Sequence, residues 1–188
     1  MSYPLAEHDR MIAGMIRKCR VVALDLAADP PVCRVSDGEW TSAWVRWHSL
    51  GAAPGARHWL APGLHEQGVL ISTSGDVSQG TFLPGLYSGP APAPDDRDHV
   101  QRWLFEDGGS LTYDWQAKRY SIELPAGKVD IKVGGSVVTV TESAIEAMAP
   151  MLRFTGPMLI QGALRVTGDI YGDARIIDTA GNTANHMH

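Results

Sequence analysis

From Thr155 onward the chain can be written in sixes, TGPMLI, QGALRV, TGDIYG and DARIID, and this period constrains the fold more than any other feature. The second place holds Gly156, Gly162, Gly168 and then Ala174; the fourth holds Met158, Leu164, Ile170 and Ile176; the sixth holds Ile160, Val166, Gly172 and Asp178. Repeats of this length belong to β-solenoids, in which one strand and one turn make a rung and a small residue permits the corner. Strand side chains alternate, so the fourth and sixth places share a face and predict a continuous apolar interior. One chain with so few rungs would bury little and leave its edges open. Three chains wound about a common axis pair those edges and enclose a column of Met, Leu, Ile and Val. The column narrows toward its end, where the sixth place passes from Ile160 and Val166 to Gly172. Asp178 then has two readings. If the register holds, three carboxylates ring the apolar axis, at a cost that a cation or protonation must offset, which makes Asp178 a candidate axial ion site. If it slips after Gly172, Asp178 is a turn residue.

The chain ends on His186-Met187-His188. Two histidines two apart on an extended segment point the same way, so one chain offers two imidazole nitrogens and three chains offer six. Six nitrogens suit an octahedral imidazole binder such as iron or nickel rather than tetrahedral zinc. Taken by itself, the ending reads equally well as a frayed terminus or a purification-tag remnant.

The 188 residues suit one or two small domains, and 44% hydrophobic content can build their cores. A net charge of −5 without a basic run argues against nucleic acid or an anionic membrane surface as main partner. Cys19 and Cys33 sit in apolar, strand-like surroundings and read as two buried thiols. No stretch reaches the ~18 apolar residues of a membrane span, and no signal peptide opens the chain, so a soluble protein made in the cytoplasm is expected.

Five segments follow in order. Residues 1–19 form a helix, entered through Ser2 and Pro4, with Leu5, His8, Met11, Ile12, Met15 and Ile16 at helical spacing up to Cys19. Residues 20–89 change to a period of two, with strands expected at Cys19–Leu26, Val32–Val35, Trp40–Trp47, Gly68–Thr73 and Thr81–Leu86. Five short strands after a helix fit a small OB-type barrel. Residues 90–98 lie in a Pro-rich, charged linker that acts as a stiff spacer. Residues 99–180 are strand-like, because Trp103 and Phe105, Leu111 to Trp115, Tyr120 to Leu124 and Val129 to Val133 alternate between glycine-marked turns. Residues 181–188 form the tip. The fold class is therefore mainly β: a helix and OB barrel followed by an intertwined three-chain β-helix with a metal-bound apex.

Rival chemistries find little support. Asp95, Asp96 and Asp98 beside His99 lie in the linker and read as solvated charge. Ser72 and Ser74 lack a GxSxG elbow or a histidine partner. His48, His58 and His65 lack the spacing of a metal motif. Trp40, Trp44, Trp47 and Trp59 could stack bases, as OB folds binding single strands do, but only Arg46 and Arg57 accompany them. Trp44 and Trp47, three apart, fall on opposite faces, so only one can enter a core.

The order of these parts resembles one family. The helix, the barrel ending in GLHEQGVLISTSGDVSQGTFLPGLYSG (Gly63 to Gly89), the Pro-rich connector, EDGGSLTYDWQAKRYSIELPAGKVDIKVGGSVVTVT (Glu106 to Thr141), the VTGDIYGD ladder and the closing His-x-His together resemble the baseplate assembly protein V family. These are the central spikes of contractile phage tails and of R-type, pyocin-like tailocins. The resemblance covers essentially the whole chain and rests on the order of the motifs, none of which is specific alone. It implies a homotrimer without enzymatic activity, located at the baseplate tip of a virion or tailocin particle. The barrel would dock on tail hub and tube proteins, and the needle would pierce the bacterial outer membrane on sheath contraction. It implies one iron ion per trimer, held by His186 and His188 of each chain, and leaves a place on the axis for a further ion such as calcium or chloride. Family members often continue past the second histidine, whereas this sequence ends on it, so either a very short tip or a trimmed end is expected, and neither removes the ligands. The spike of a type VI secretion system is the alternative within this architecture; such spikes are generally longer, with hub domains upstream.

Overall fold

The computed structural model describes residues 3–73 and 75–173. Asp178, His186 and His188 lie outside the described residues, as does Ser74. Contacts group Met1–Pro125 into one compact unit and Ala126–His188 into another.

Helix α1 spans Tyr3–Met15 and passes directly into strand β1, Ile16–Asp25. The apolar spacing that predicts helix up to Cys19 is overridden from Ile16, because β1 pairs there with β6, Gln67–Ile71, starting at Ile16 opposite Ile71. The helix end is held by the Ser72 amide, which donates to the Met15 carbonyl at 2.8 Å.

Strands β2, Val32–Ser36, β3, Arg46–Trp47, and β7, Thr81–Leu86, complete a sheet ordered β2-β1-β6-β7-β3. The β3–β7 pair is parallel and the others are antiparallel. A bridge between Cys33 and Val45, with reciprocal amide–carbonyl bonds of 2.8 and 2.9 Å, joins the first and last strands and closes the sheet. Five strands closed in this order, with one parallel pair, make the Greek-key barrel of an OB fold. Alternation delivers its core: Cys19, Val21, Cys33, Val35, Val45, Leu70 and Phe82 are buried inside.

The expected strand from Trp40 to Trp47 is reduced to β3 and isolated bridges. Serine side chains stand in for strand pairing here. The Ser42 hydroxyl accepts from the Val35 amide at 2.9 Å, and the Ser36 hydroxyl donates to the Trp40 carbonyl, so the backbone bends instead of running straight. Trp47 is half-buried against the core while Trp44 is exposed, as their opposite faces require. A small hairpin, β4 (Ala52–Ala53) with β5 (Ala56–Arg57), forms where the sequence signals only a turn.

The first unit also contains a three-stranded antiparallel sheet of β8 (Val100–Leu104), β9 (Ser110–Asp114) and β10 (Arg119–Glu123). The second unit holds a similar sheet of β11 (Lys128–Val133), β12 (Ser136–Thr141) and β13 (Ile145–Met148). From residue 149 to 173 no strand forms within the chain.

Candidate functional site

Register sorts the two three-stranded sheets into unlike faces. In the second unit Val129 faces Val140, Ile131 faces Val138, and Val140 faces Ile145 on the next strand. Strand alternation therefore gathers these aliphatic side chains on one face and puts Lys128, Asp130, Lys132, Thr139 and Glu146 on the other. The polar face is satisfied locally. Lys128 Nζ lies 2.8 Å from Asp130, whose carboxylate also accepts from the Thr139 hydroxyl at 2.7 Å. The Lys128 ammonium holds the Asp130 carboxyl below the usual carboxylate range.

The aliphatic face has no such closure in one chain. Ile145 and Val133 are each 77% exposed. From Leu111 to Asp173 no described residue is buried. Sixty-odd residues of alternating β sequence cannot offset their ordering entropy without burying that face.

In the first unit the same sorting puts Trp103, Leu111, Tyr113, Tyr120 and Ile122 on one face of β8–β10, through the pairs Trp103–Leu111, Tyr113–Tyr120 and Leu111–Ile122. Tyr113 and Tyr120 have ring centroids 6.1 Å apart.

The six-residue ladder shows its register in the backbone. Gly156 and Gly162, both at the second place, adopt φ of 111° and 142°, a region open to glycine and closed to side-chain-bearing residues. Their spacing turns the chain once per six. The inward places Met158, Ile160, Leu164, Val166 and Ile170 are all exposed in the single chain, as a rung completed only by neighbours requires.

Taken together, an OB barrel followed by strands that bury no hydrophobic side chain alone is the form of an obligate oligomer. Residues 17–87 match the family described as the type VI secretion system/phage-baseplate injector OB domain, and residues 101–172 match Gp138, beta helical trimerization domain. The Spike protein of Escherichia phage P2 is 27% identical over 168 residues, covering 88% of this chain and 70% of that protein. The chain is therefore similar to a phage spike protein over most of its length, with a baseplate injector OB domain followed by a trimerization domain. The unmatched interval between the two domains coincides with the Pro-rich connector, and the second domain accounts for the homotrimer that the exposed aliphatic face demands.

Other candidates resolve differently. Ser72 is buried and its hydroxyl donates to the Asp76 carbonyl, which makes it a turn brace. The amides of His48, His58 and His65 bond to Phe82, Gly51 and Val21 respectively, on separate parts of the barrel. Among the described residues no group of three or more His, Cys, Asp or Glu could hold a metal. Two of the tryptophans proposed for base stacking have a face taken: the Arg17 guanidinium lies 5.5 Å from the Trp40 ring and that of Arg34 5.7 Å from Trp44. Trp47 meets Trp59 edge-on at 5.9 Å.

The linker departs from the sequence reading. Asp98 is fully exposed beside His99, but Asp95 is only 13% exposed and takes a two-pronged grip from Arg97, Nε to Oδ1 at 2.9 Å and Nη2 to Oδ2 at 2.8 Å. That grip holds the Asp95 carboxyl far below the usual range. Arg97 Nη1 also donates to Asp114 on β9 at 3.3 Å. The alternation DxR in the linker was the available signal, but nothing in sequence joins it to a residue 17 positions on.

Proposed function

We propose that three copies of this chain form the central spike of a contractile-tail baseplate, driven through the bacterial outer membrane when the sheath contracts. One observation supports this above the rest: an injector OB domain is followed by a trimerisation domain whose described strands bury no hydrophobic side chain alone. A spike needs no bond-breaking chemistry. It needs a narrow tip that does not fray under load, and triple pairing supplies that, since opening one chain breaks contacts with two others. The barrel is the docking end, toward hub and tube proteins.

At the far end, His186 and His188 of three chains would hold one iron ion. The donor set fits, because six imidazole nitrogens complete an octahedron. The bound ion would tie three C-termini where fraying starts. Asp178 is the place for any further axial ion.

Light scattering of the full-length protein tests the reading. A particle of three 20.3 kDa chains is expected, and a stable single chain would sink it. Particles lacking the protein should assemble tails that fail to penetrate cells.

A further inference from the structure

The connector between barrel and first spike sheet is the Pro-rich segment that the sequence reads as a stiff spacer. Its contacts add a lock to that stiffness. Just after β7, Ser88 and Ala91 exchange amide–carbonyl bonds of 3.0 and 3.1 Å, which folds the entry into a closed turn. Pro90, Pro92 and Pro94 then restrict three of the next backbone φ angles. The Asp95 carboxylate accepts the amides of Asp96 and Arg97 at 3.0 and 3.1 Å while gripped by the Arg97 guanidinium. Arg97 reaches on to Asp114, and Arg102 of β8 stands 3.9 Å from the same Asp95. At the exit, the Trp115 amide donates to the His99 carbonyl at 3.2 Å, and the two rings meet edge-on at 6.4 Å. A separate brace crosses outside the connector, where His58, following β5, meets Trp103 of β8 edge-on at 6.3 Å.

We propose that residues 88–99 form an ion-locked strut, in which Arg97 fastens the connector to β9 through Asp95 and Asp114 and fixes the first spike sheet to its barrel. Guanidinium is suited to this work: its planar fork takes both oxygens of one carboxylate and leaves a third N–H for the other. A thrust on the spike then passes to the barrel without bending at the joint. That mechanical role rests on the spike reading, whereas the lock itself does not.

Hydrogen exchange on the full-length protein, read over peptides covering 88–99, tests the lock. The wild-type amides of Ala91, Asp96 and Arg97 are expected to exchange well below free-peptide rates. Arg97→Ala should speed those of Asp96 and Arg97 about tenfold, on the scale of losing charged hydrogen bonds, and leave that of Ala91, bonded to Ser88, as it was. Arg97→Lys should recover little of that protection, because an ammonium cannot fork. Asp96→Asn, outside the lock, should change nothing. Free-peptide exchange in the wild type, or unchanged exchange in Arg97→Ala, overturns the proposal. Should Arg97→Ala fail to fold, Asp114→Asn serves: asparagine keeps the Oδ1 that accepts the Gln116 and Ala117 amides and weakens only the Arg97 anchor. It should give a smaller increase in the same peptides, and none in a folded protein overturns the lock. Trimer mass, measured on the same samples, reports on the spike reading separately.

Discussion

Gly14 and Gly75 meet backbone to backbone: a Cβ added to Gly14 would stand 2.6 Å from the Gly75 carbonyl oxygen. This is how a helix only thirteen residues long stays docked on the barrel, beside the bond from the Ser72 amide to Met15. Gly14→Val should prise α1 from Ser72 and Gly75, at about 1–3 kcal/mol by analogy with overpacked cores. Hydrogen exchange should rise in α1 and leave β2 and β7 protected; equal protection in α1 would show that the contact is dispensable.

Cys19 and Cys33 face the same barrel interior, and burial pushes both thiols up to about 11 from an ordinary 9.0. The folded state thus holds these protons more tightly than the unfolded chain. Stability contributed by the thiols is complete below pH 9 and is lost as pH rises toward 11. Chemical denaturation between these limits should show a falling midpoint, and the Cys19→Ala, Cys33→Ala double variant should flatten that decline even though it lowers stability at neutral pH. At pH 8 the native thiols should resist alkylation.

Ile131 and Lys132 are neighbours in sequence but lie on opposite faces of β11. Ile131→Asp would place a charge in the face that trimerisation must bury, where an unpaired carboxylate is severely unfavourable. Light scattering should find monomers or aggregates. Lys132→Glu, on the polar face, should remain trimeric with little change in melting temperature. The reverse pattern would mean that the sheet packs with its other face inward.

The elements that sequence predicts well are those in which local pattern and tertiary demand agree. Thr81–Leu86 appears with its expected bounds, and Val129, Ile131 and Val133 fall on one face of β11, opposite Val140, Val138 and Ser136. Where they disagree, the reason is a contact that the local period does not show, distant in one case and a side chain bonding backbone in the other. Ile16 leaves its helical period because Ile71 pairs with it, and the 40–47 strand dissolves because Ser36 and Ser42 bond the backbone themselves. The candidate site divides the same way. A six-residue period is visible in the letters, and it predicts the trimer; that Arg97 would meet Asp114 is not, since neither residue carries a local mark of the other.

Gly162 and Gly168 occupy the same place in successive sixes, yet only Gly162 has a positive φ, at 142°. Alanine at 162 would be strained whatever the space, whereas alanine at 168 meets no neighbouring atom within 4 Å in one chain. Gly162→Ala should therefore destabilise the trimer by about 1 kcal/mol or more per chain, with Gly168→Ala costing less. Thermal melts of the two variants decide it, and equal losses would point to interchain crowding rather than backbone strain.

The proposed iron is tested by metal analysis of full-length protein purified without added metal. One iron per trimer is expected, and His186→Ala with His188→Ala should abolish it. The trimer itself should persist in that variant, because the aliphatic face of β11–β13 is independent of the histidines. A ligated imidazole must be neutral, so proton and metal compete. Binding is complete well above the ordinary histidine pKa of about 6.5 and weakens as pH falls below it. Iron should be released progressively on acidification and faster with a strong chelator, accompanied by increased proteolysis at the C-terminus. Another transition metal at one per trimer would keep the six-imidazole site and overturn iron; no metal at all would return the terminal histidines to an ordinary tail.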